Sequence, residues 1–390
     1  MSIDSLPDEI LDLMFERILF IEDVISCSKV CRHWWTLAQR RLNYVNYLIA
    51  CVSVKDFDSF ADVCLYQGRK FIFYRADKSS YQYMRILPNL KIIDVEKSLD
   101  REEETIFLRA LESRQKIKGL AYPYYEPEGP CKSMFLKHIE MFAPGYLNNN
   151  NDFVINLCSD TIRQLFFEDN YVAIDDIISK CKSLERIHIH HHEGARLMTY
   201  NGTPSESLQY LELDVTYFYC PDTCINKFID VCPKLNSLFL RFSDTVYNFI
   251  PSKSHKSLEN LVLEYYTRSK DPKPIKWTNI PIFLQKVPNL KNLAIRSCPG
   301  LKDIHIYDIL TSCPNLKLLD LRGCSDINSE SDTMINEIHQ SKDYQIEILT
   351  GSYSKLPLHH HEKVVCQGFD FMKHIFHKSW KNIPLFLTHD

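Results

Sequence analysis

The stretch that decides the fold is CPNLKLLDL at residues 313–321. Leucines occupy its fourth, seventh and ninth positions, so the phrase fits the pattern L-x-x-L-x-L. Side chains alternate across a β-strand, so the last two leucines face one side while the first closes the turn into the strand. One short strand cannot bury its apolar side alone. The phrase therefore predicts a structure built from repeated units.

The same phrase recurs along the chain. The copies are LPNLKIIDV at 87–95, CKSLERIHI at 181–189, SESLQYLEL at 205–213, CPKLNSLFL at 232–240, HKSLENLVL at 255–263 and VPNLKNLAI at 287–295, with weaker copies KIKGLAY at 116–122 and TIRQLFF at 161–167. From residue 162 to residue 316, the first leucine-type positions are separated by 22, 24, 27, 23, 32 and 26 residues. Periods of about 20 to 29 residues are typical of leucine-rich repeats.

The segments between the phrases predict helices, because apolar residues recur at intervals of three and four. They are AIDDIISKC at 173–181, TCINKFIDVC at 223–232, NIPIFLQKV at 279–287 and IYDILTSC at 306–313. We expect an α/β fold: a curved leucine-rich-repeat solenoid with parallel strands on its concave face and helices on its convex face. A three-helix unit precedes it.

We expect three regions: a helical domain at 1–45, the solenoid at 46–350 and a tail at 351–390 that forms an amphipathic helix. Residues 46–86 are predicted to be an atypical capping region, with strands in LIACVSV at 48–54 and RKFIFYR at 69–75, and QIEIL at 345–349 is predicted to be the last strand. The long step from Ile117 to Ile162 contains turn-rich and asparagine-rich segments. It holds either a degenerate repeat or a large loop.

Bulk composition favours a soluble protein that binds other proteins. The 390 residues are 45% hydrophobic and 25% charged, without an apolar run long enough to span a membrane. Fourteen cysteines and an acidic N-terminus without a secretory signal predict reduced thiols and a cytoplasmic or nuclear location. A net charge of -4 gives no basic footprint for nucleic acid or for a membrane surface.

Residues 6–20, LPDEILDLMFERILF, predict a helix with Pro7 in its first turn. A second short helix is predicted near Glu22, and a third runs through Val30 and Trp34. The apolar positions of the first helix wrap most of the way round it. Because a unit of about forty residues cannot bury that much apolar surface by itself, the sequence predicts a partner for it.

This segment resembles the F-box family in Leu6-Pro7, Glu9-Ile10-Leu11, Phe15, Asp23-Val24 and Val30-Cys31-Arg32-His33-Trp34. The resemblance covers roughly a tenth of the chain, and Phe20 and Trp35 are bulkier than the polar residues often found there. In that family, three helices dock on the Skp adaptor, which binds a cullin that carries the ubiquitin-transferring enzyme. The resemblance implies an adaptor interface filled by Leu6, Pro7, Ile10, Leu11, Phe15, Val24, Val30, Cys31 and Trp34. Alternatively, some of these side chains hold the three helices together.

The alternation of the strands also predicts a strip of side chains across the concave face. The strip comprises Phe166, Glu168, His188, His190, Glu212, Asp214, Phe239, Arg241, Val262, Glu264, Ala294, Arg296, Asp320 and Arg322. Exposed aromatic and arginine side chains are typical of binding hot spots. We therefore expect a protein substrate at Phe166, His188, His190, Glu212, Asp214, Phe239, Arg241, Arg296 and Arg322. A solvated strand face without a ligand is the alternative.

Trp277 ends a basic, proline-bearing loop, RSKDPKPIKW at 268–277. Such a loop suits an acidic degron or a phosphate, or it is a plain surface loop. We include Trp277 among the expected substrate-binding residues.

No metal or cofactor is expected. The cysteines at 181, 232 and 313 lie three residues before the first leucine of their phrases, as in the cysteine-containing repeats that this chain resembles, and we expect them to be buried small apolar side chains. The run HIHHH at 188–192 suggests a metal site only weakly, because His188 and His190 share a strand face while His191 points away.

No catalytic motif is present in the sequence, so we expect a non-catalytic protein. The resemblance implies a substrate-recognition subunit of an SCF-type ubiquitin ligase, which binds the Skp adaptor, and through it a cullin, with its N-terminal helices and an unknown protein with its repeats. The alternative is a repeat scaffold that binds the adaptor without directing ubiquitination. Nucleic-acid binding through the concave face is a third reading, but the strip mixes acidic residues with arginines.

Overall fold

The computed structural model describes residues 6–51, 71–75, 80–95, 101–122, 138–143, 146–147, 160–169, 174–191, 202–215, 222–243, 251–266, 277, 279–327 and 346–350. The predicted tail at 351–390 lies outside this part of the chain. The helices that are described are too short or too polar to cross a membrane.

The described helices are α1 (Asp8–Glu16), α2 (Ile21–Ser28), α3 (Arg32–Asn43), α4 (Tyr81–Met84), α5 (Arg101–Glu112), α6 (Ile174–Lys180), α7 (Asp222–Asp230), α8 (Asn279–Gln285) and α9 (Asp303–Ser312). The described strands are β1 (Tyr47–Cys51), β2 (Phe71–Arg75), β3 (Ile92–Asp94), β4 (Gly119–Ala121), β5 (Met141–Ala143), β6 (Tyr146–Leu147), β7 (Gln164–Asp169), β8 (Arg186–His191), β9 (Tyr210–Val215), β10 (Ser237–Ser243), β11 (Asn260–Tyr266), β12 (Asn292–Arg296), β13 (Leu318–Asp320) and β14 (Glu347–Leu349).

Thirteen of these strands form one continuous parallel sheet in the order β14-β13-β12-β11-β10-β9-β8-β7-β5-β4-β3-β1-β2, and β6 pairs with β7 as the fourteenth strand. The repeated phrases pair in register, so that Leu238 lies opposite Leu211 on one side and Leu261 on the other. Each turn continues the same ladder: the amides of Glu259 and Asn260 both donate to the carbonyl of Asn236. The α/β class and the long parallel sheet are confirmed.

The hydrophobic core lies between the helices and one face of the sheet. The first leucines of the phrases are fully buried there, at Leu184, Leu208, Leu235, Leu258, Leu290 and Leu316. Burial of each such side chain contributes about 1.5–3 kcal/mol. The inward faces of α6 to α9 pack on the same core, which confirms the predicted helices.

The cysteines that precede the phrases belong to this core. Cys181, Cys232 and Cys313 are buried among its apolar side chains. Burial raises the pKa of the Cys181 and Cys232 thiols to about 12. The thiols are therefore protonated at neutral pH and act as small apolar side chains, as predicted.

The long step between Ile117 and Ile162 contains a degenerate repeat. Strand β5 pairs in parallel with β4 and β7, and Ile139 and Phe142 are buried in the core where other phrases have leucines. Ile139 divides the step into 22 and 23 residues, which is the ordinary period. The isoleucine and phenylalanine hid this copy from a search for leucine.

At the N-terminal end, the sheet does not follow chain order. Strand β1 lies between β2 and β3, so β2 is the edge strand. The connection between α1 and α2 covers that edge, because the amide of Phe73 donates to the carbonyl of Leu19 at 2.8 Å. The three N-terminal helices are thereby joined to the repeats by backbone pairing. Both strands predicted in this region, near 48–54 and 69–75, are present as β1 and β2.

If residues 138–143 form a repeat, Phe142→Ala leaves a cavity in the shared core. We expect it to lower the free energy of unfolding by about 3–5 kcal/mol, measured by urea denaturation followed by circular dichroism. Ile106→Ala, at an exposed position on α5, is the control and should change it by less than about 0.5 kcal/mol. Equal small effects would mean that β5 is not part of the core.

Candidate docking surface and the second face of the sheet

The three N-terminal helices expose several large apolar side chains. Ile10, Leu13 and Met14 lie at helical spacings of three and four on α1, while Val30 lies just before α3 and Trp35 lies in its first turn. Each of the five is between 43% and 62% exposed. We call these five residues the apolar set. Large exposed apolar side chains that cluster on one small unit are typical of a surface that binds a protein partner.

The nine residues predicted at an adaptor interface divide into three groups. Pro7, Ile10, Val30 and Cys31 are exposed, and Leu6 and Trp34 are half-buried. The other three are buried in the core: Leu11, Phe15 and Val24. Their side chains offer no surface to a partner in this structure, because they pack α1 and α2 against α3 and the first strands. The division matches the alternative that some of the nine hold the helices together.

Sequence reasoning did not select Leu13, Met14 and Trp35 as site residues. Leu13 and Met14 belong to the apolar residues that wrap round α1, which was the signal available for them. For Trp35 the signal was its bulk at a position where polar residues are often found, but the helical spacing of the third helix selected its neighbour Trp34 instead. Trp34 packs edge-on against Phe15, with ring centroids 5.7 Å apart.

Polar contacts on the surface of the unit join α1 to α3. Arg40 donates to Asp12 Oδ2 at 2.6 Å and lies 3.4 Å from Asp8 Oδ2, while His33 Nε2 lies 3.2 Å from Asp8 Oδ1. Cys31 caps α3, because its Sγ accepts from the amide of Trp34. Val30 therefore precedes the third helix, which begins two residues later than the predicted helical spacing suggested.

A second set of contacts joins α2 to the repeats. Glu22 Oε1 accepts from the amide of Arg75 at 3.0 Å and from the hydroxyl of Tyr83 at 2.8 Å. The Arg75 guanidinium lies 3.3 Å from Asp23 Oδ1 and over the ring of Phe20. Phe20, which departs from the F-box pattern by its bulk, is thus a contact between the helices and the edge strand.

The strip lies on the face of the sheet opposite the core, as the alternation predicted, but much of it is closed to solvent. The buried members of the predicted substrate site are His188, Glu212, Phe239, Arg296 and Arg322. The prediction that these side chains are exposed is wrong. Phe239, Val262 and Ala294 form a second buried apolar cluster, against which Leu318 packs.

The remaining residues of the predicted substrate site are either half-buried or have side chains outside the described part of the structure. Phe166 and Arg241 are half-buried, and the ring of Phe166 packs edge-on against His188 at 4.7 Å. The backbones of His190 and Asp214 belong to β8 and β9, but their side chains lie outside the described part of the structure, as does that of Glu168. Their predicted roles stay predictions.

A ladder of charges crosses β10 to β13 on the strip. Arg241 Nε lies 3.0 Å from Glu264 Oε1, and Glu264 Oε2 lies 3.7 Å from Arg296. Arg296 Nε donates to Asp320 Oδ2 at 2.8 Å, and the same carboxylate accepts from Nε and Nη2 of Arg322, both at 2.7 Å. Opposite charges in neighbouring repeats thus satisfy one another. This pairing explains why arginines that looked like hot spots are buried.

The pKa of Asp320 is lowered to about 2. Burial acts to raise it, but the hydrogen bonds and positive charges of Arg322 and Arg296 outweigh that effect. The carboxylate therefore stays ionised throughout the neutral range and holds two buried guanidinium groups in place.

A polar ladder that sequence reasoning missed runs beside the charged one. Asn292 Nδ2 donates to Asn260 Oδ1 at 2.7 Å, and Asn260 Nδ2 donates to Asn236 Oδ1 at 3.0 Å and to Ser237 Oγ at 2.8 Å. Further along, the guanidinium of Arg186 stacks on the ring of Tyr210, 4.3 Å from its centroid. Asparagine in the middle of three phrases, shortly before the second leucine, was the available signal.

Trp277 is positioned by α9 instead of by the strip. Its ring stacks on His305 with centroids 4.3 Å apart, and its Nε1 donates to Asp308 Oδ2 at 3.0 Å. The rest of the basic loop at 268–276 lies outside the described residues. Within the described ranges, no three histidine, cysteine or acidic side chains come together as they would to hold a metal.

Comparisons with known proteins add little to this picture. No protein-family model and no curated protein matches the chain. Among solved structures, a crystal structure of a TLR13–ssRNA13 complex is similar over 72% of this chain and 35% of that chain, with 13% identity and a TM-score of 0.36. The matched part is thus about a third of TLR13, and a likeness of this size carries no functional information.

Removing the carboxylate of Asp320 leaves Arg296 and Arg322 buried without their shared partner. We expect Asp320→Ala to lower the free energy of unfolding by about 3–5 kcal/mol in urea denaturation at neutral pH. Asp326→Ala is the matched control, because Asp326 lies six residues further along the chain and is exposed; this change should have little effect on the free energy of unfolding. A variant as stable as the parent would mean that the charge ladder does not hold the sheet together.

The same carboxylate predicts an acid dependence. Because its pKa in the folded chain lies below the ordinary value of 3.8, its contribution is complete above pH 3.8 and is lost as pH falls towards about 2. We therefore expect the difference in stability between the parent and Asp320→Asn to shrink on acidification through that range. A difference independent of pH would show that the charge of Asp320 is not what stabilises the fold.

Proposed function

We propose that this chain is a non-catalytic substrate receptor of an SCF-type ubiquitin ligase. Its N-terminal helices would bind the Skp adaptor, and through it a cullin, while the repeat domain would bind the protein to be ubiquitinated. The observation that carries the proposal is the apolar set on α1 and around the start of α3, together with the F-box resemblance of the same segment. A location in the cytoplasm or nucleus belongs to the proposal.

The proposed interface is revised by burial. Pro7, Ile10, Val30 and Cys31 remain direct contacts, with Leu6 and Trp34 at the margin, while Leu13, Met14 and Trp35 join them. Leu11, Phe15 and Val24 would act beneath the interface by holding the helices in position. A few side chains contribute most of the binding energy in a protein interface, and tryptophan is enriched among them, so Trp34 and Trp35 are the proposed anchors.

The contacts between α2 and β2 suit a receptor. Glu22 and the pairing of Phe73 with Leu19 tie the proposed docking helices directly to the first strands. A protein held on the repeats would therefore keep a defined distance from an adaptor held on the helices. That geometry matters for a ligase, whose catalytic partner must reach its target.

A repeat scaffold that binds the adaptor without directing ubiquitination is the second candidate. The scaffold would bind the adaptor through the same apolar set. It would differ only in that the adaptor would not recruit a cullin. Co-purification of a cullin with the chain and the adaptor distinguishes the two. An adaptor complex that never recruits a cullin would favour the scaffold.

The adaptor interface is tested by co-expression of the full chain with the Skp adaptor. We expect the parent to co-elute with the adaptor in a one-to-one complex, and Ile10→Ser with Val30→Ser to abolish co-elution, because both side chains are exposed and lose their apolar contact. The matched control is Ile304→Ser with Tyr307→Ser, which removes two large apolar side chains that are also exposed, at 67% and 61%, from α9.

Unchanged thermal melting of both double variants would show that neither effect comes from misfolding. Loss of co-elution in both variants, or in neither, would contradict the assignment of the apolar set. Failure of the parent to bind the adaptor would overturn the proposed function.

A further inference from the structure

A cluster of lysines lies at the edge of the sheet where strands β10 to β12 begin. It is formed by Lys227 on α7, Lys234 and Lys256 in the turns before β10 and β11, Lys253 beside them and Lys286 at the end of α8. All are exposed except Lys286, which is half-buried. We call these five residues the lysine edge.

Hydrogen bonds between neighbouring repeats make the lysine edge contiguous. Ser257 Oγ donates to the carbonyl of Pro233 at 2.8 Å, which brings the turn of Lys256 against that of Lys234. Lys286 Nζ donates to the carbonyl of Ser252 at 3.3 Å, beside Lys253. The ammonium groups therefore extend over three successive repeats.

The positive charge of the lysine edge is largely uncompensated. In the described parts of the chain, none of the five ammonium groups forms an ion pair with a carboxylate; Lys253 and Lys286 reach backbone carbonyls instead. Asp230 lies within the cluster, but it accepts from the backbone amides of Ser252 and Lys253 and from Ser252 Oγ, and its side chain is only 12% exposed.

Two other acidic residues limit the cluster. Glu259, at its border, is occupied by Lys291, whose Nζ lies 2.6 Å from Glu259 Oε1. Glu206 is exposed at the turn before β9, and its negative charge contributes to the raised pKa of the Cys232 thiol. The cluster thus keeps an excess of positive charge, although the whole chain has a net charge of -4.

The charge balance selects the kind of partner. A chain with net negative charge repels long polyanions such as nucleic acids and anionic membranes, which favour proteins with a broad basic surface. A local group of lysines suits a short acidic segment of a protein. Such a segment meets complementary charge at the lysines and does not extend over the rest of the negatively charged chain. The buried strip leaves the turns as a more accessible surface of the repeats.

We propose that the lysine edge binds an acidic protein segment. Resting on the proposed function, we infer further that this segment belongs to the protein presented for ubiquitination. Recognition would then occur at the turns that lead into β10, β11 and β12, with the charge ladder of the strip serving to hold those strands together.

The test uses the full chain in complex with the Skp adaptor, or alone if no complex forms. The probe is a fluorescein-labelled peptide of alternating aspartate and serine, compared with the same peptide carrying asparagine for aspartate. We expect the chain to bind the acidic peptide, more weakly as salt rises, and Lys234→Glu with Lys256→Glu to weaken binding by about tenfold or more. Fluorescence anisotropy measures the affinity.

The matched control is Lys116→Glu with Lys317→Glu, which makes the same charge change at exposed turn positions outside the lysine edge. Equal weakening in both double variants, or in neither, would overturn the proposal. Equal binding of the asparagine peptide, or tighter binding of a single-stranded oligonucleotide with the same charge, would also overturn it. If the parent chain bound the acidic peptide but did not co-elute with the Skp adaptor, the proposed function would be rejected. Peptide binding at the lysine edge would still be supported.

Discussion

The structure depends on the in-register stacking of short parallel strands that bury one leucine row after another. Because Leu211, Leu238 and Leu261 lie opposite one another, every repeat supplies part of the core of its neighbours. No repeat can bury its leucines alone, so the helices, the turns and the second face of the sheet all take their positions from this ladder. The polar ladder of asparagines and the charge ladder around Asp320 follow the same register on the other face.

Sequence periodicity predicted the parts that repeat. The strands, the helices between them and the burial of the cysteines all follow from spacing, because each copy of the phrase faces the same physical demand. The sequence left the segment around Ile139 and Phe142 undecided between a degenerate repeat and a loop, since large apolar side chains other than leucine fill the leucine positions there. Position in the sheet also escaped prediction: nothing local to β2 indicates that it lies outside β1.

The candidate sites were predicted less completely, for two physical reasons. Alternation says which face a side chain is on, but it does not say whether that face is covered, so Phe239, Arg296 and Arg322 looked exposed and are buried. Likewise, apolar residues all round a helix indicate that it packs against two neighbours. They do not indicate which residues face the core of the chain and which face a partner. In α1 the structure separates them: Leu11 and Phe15 face inwards, and Ile10, Leu13 and Met14 face solvent.

The receptor account requires that a partner cover the apolar set while the repeats stay accessible. Hydrogen–deuterium exchange of the full chain, with and without the Skp adaptor, tests this most directly. The account predicts slower exchange in α1 and the first turn of α3 when the adaptor is present, with the amides of β10 to β12 unchanged. Unchanged exchange throughout, or protection confined to the repeats, would contradict it.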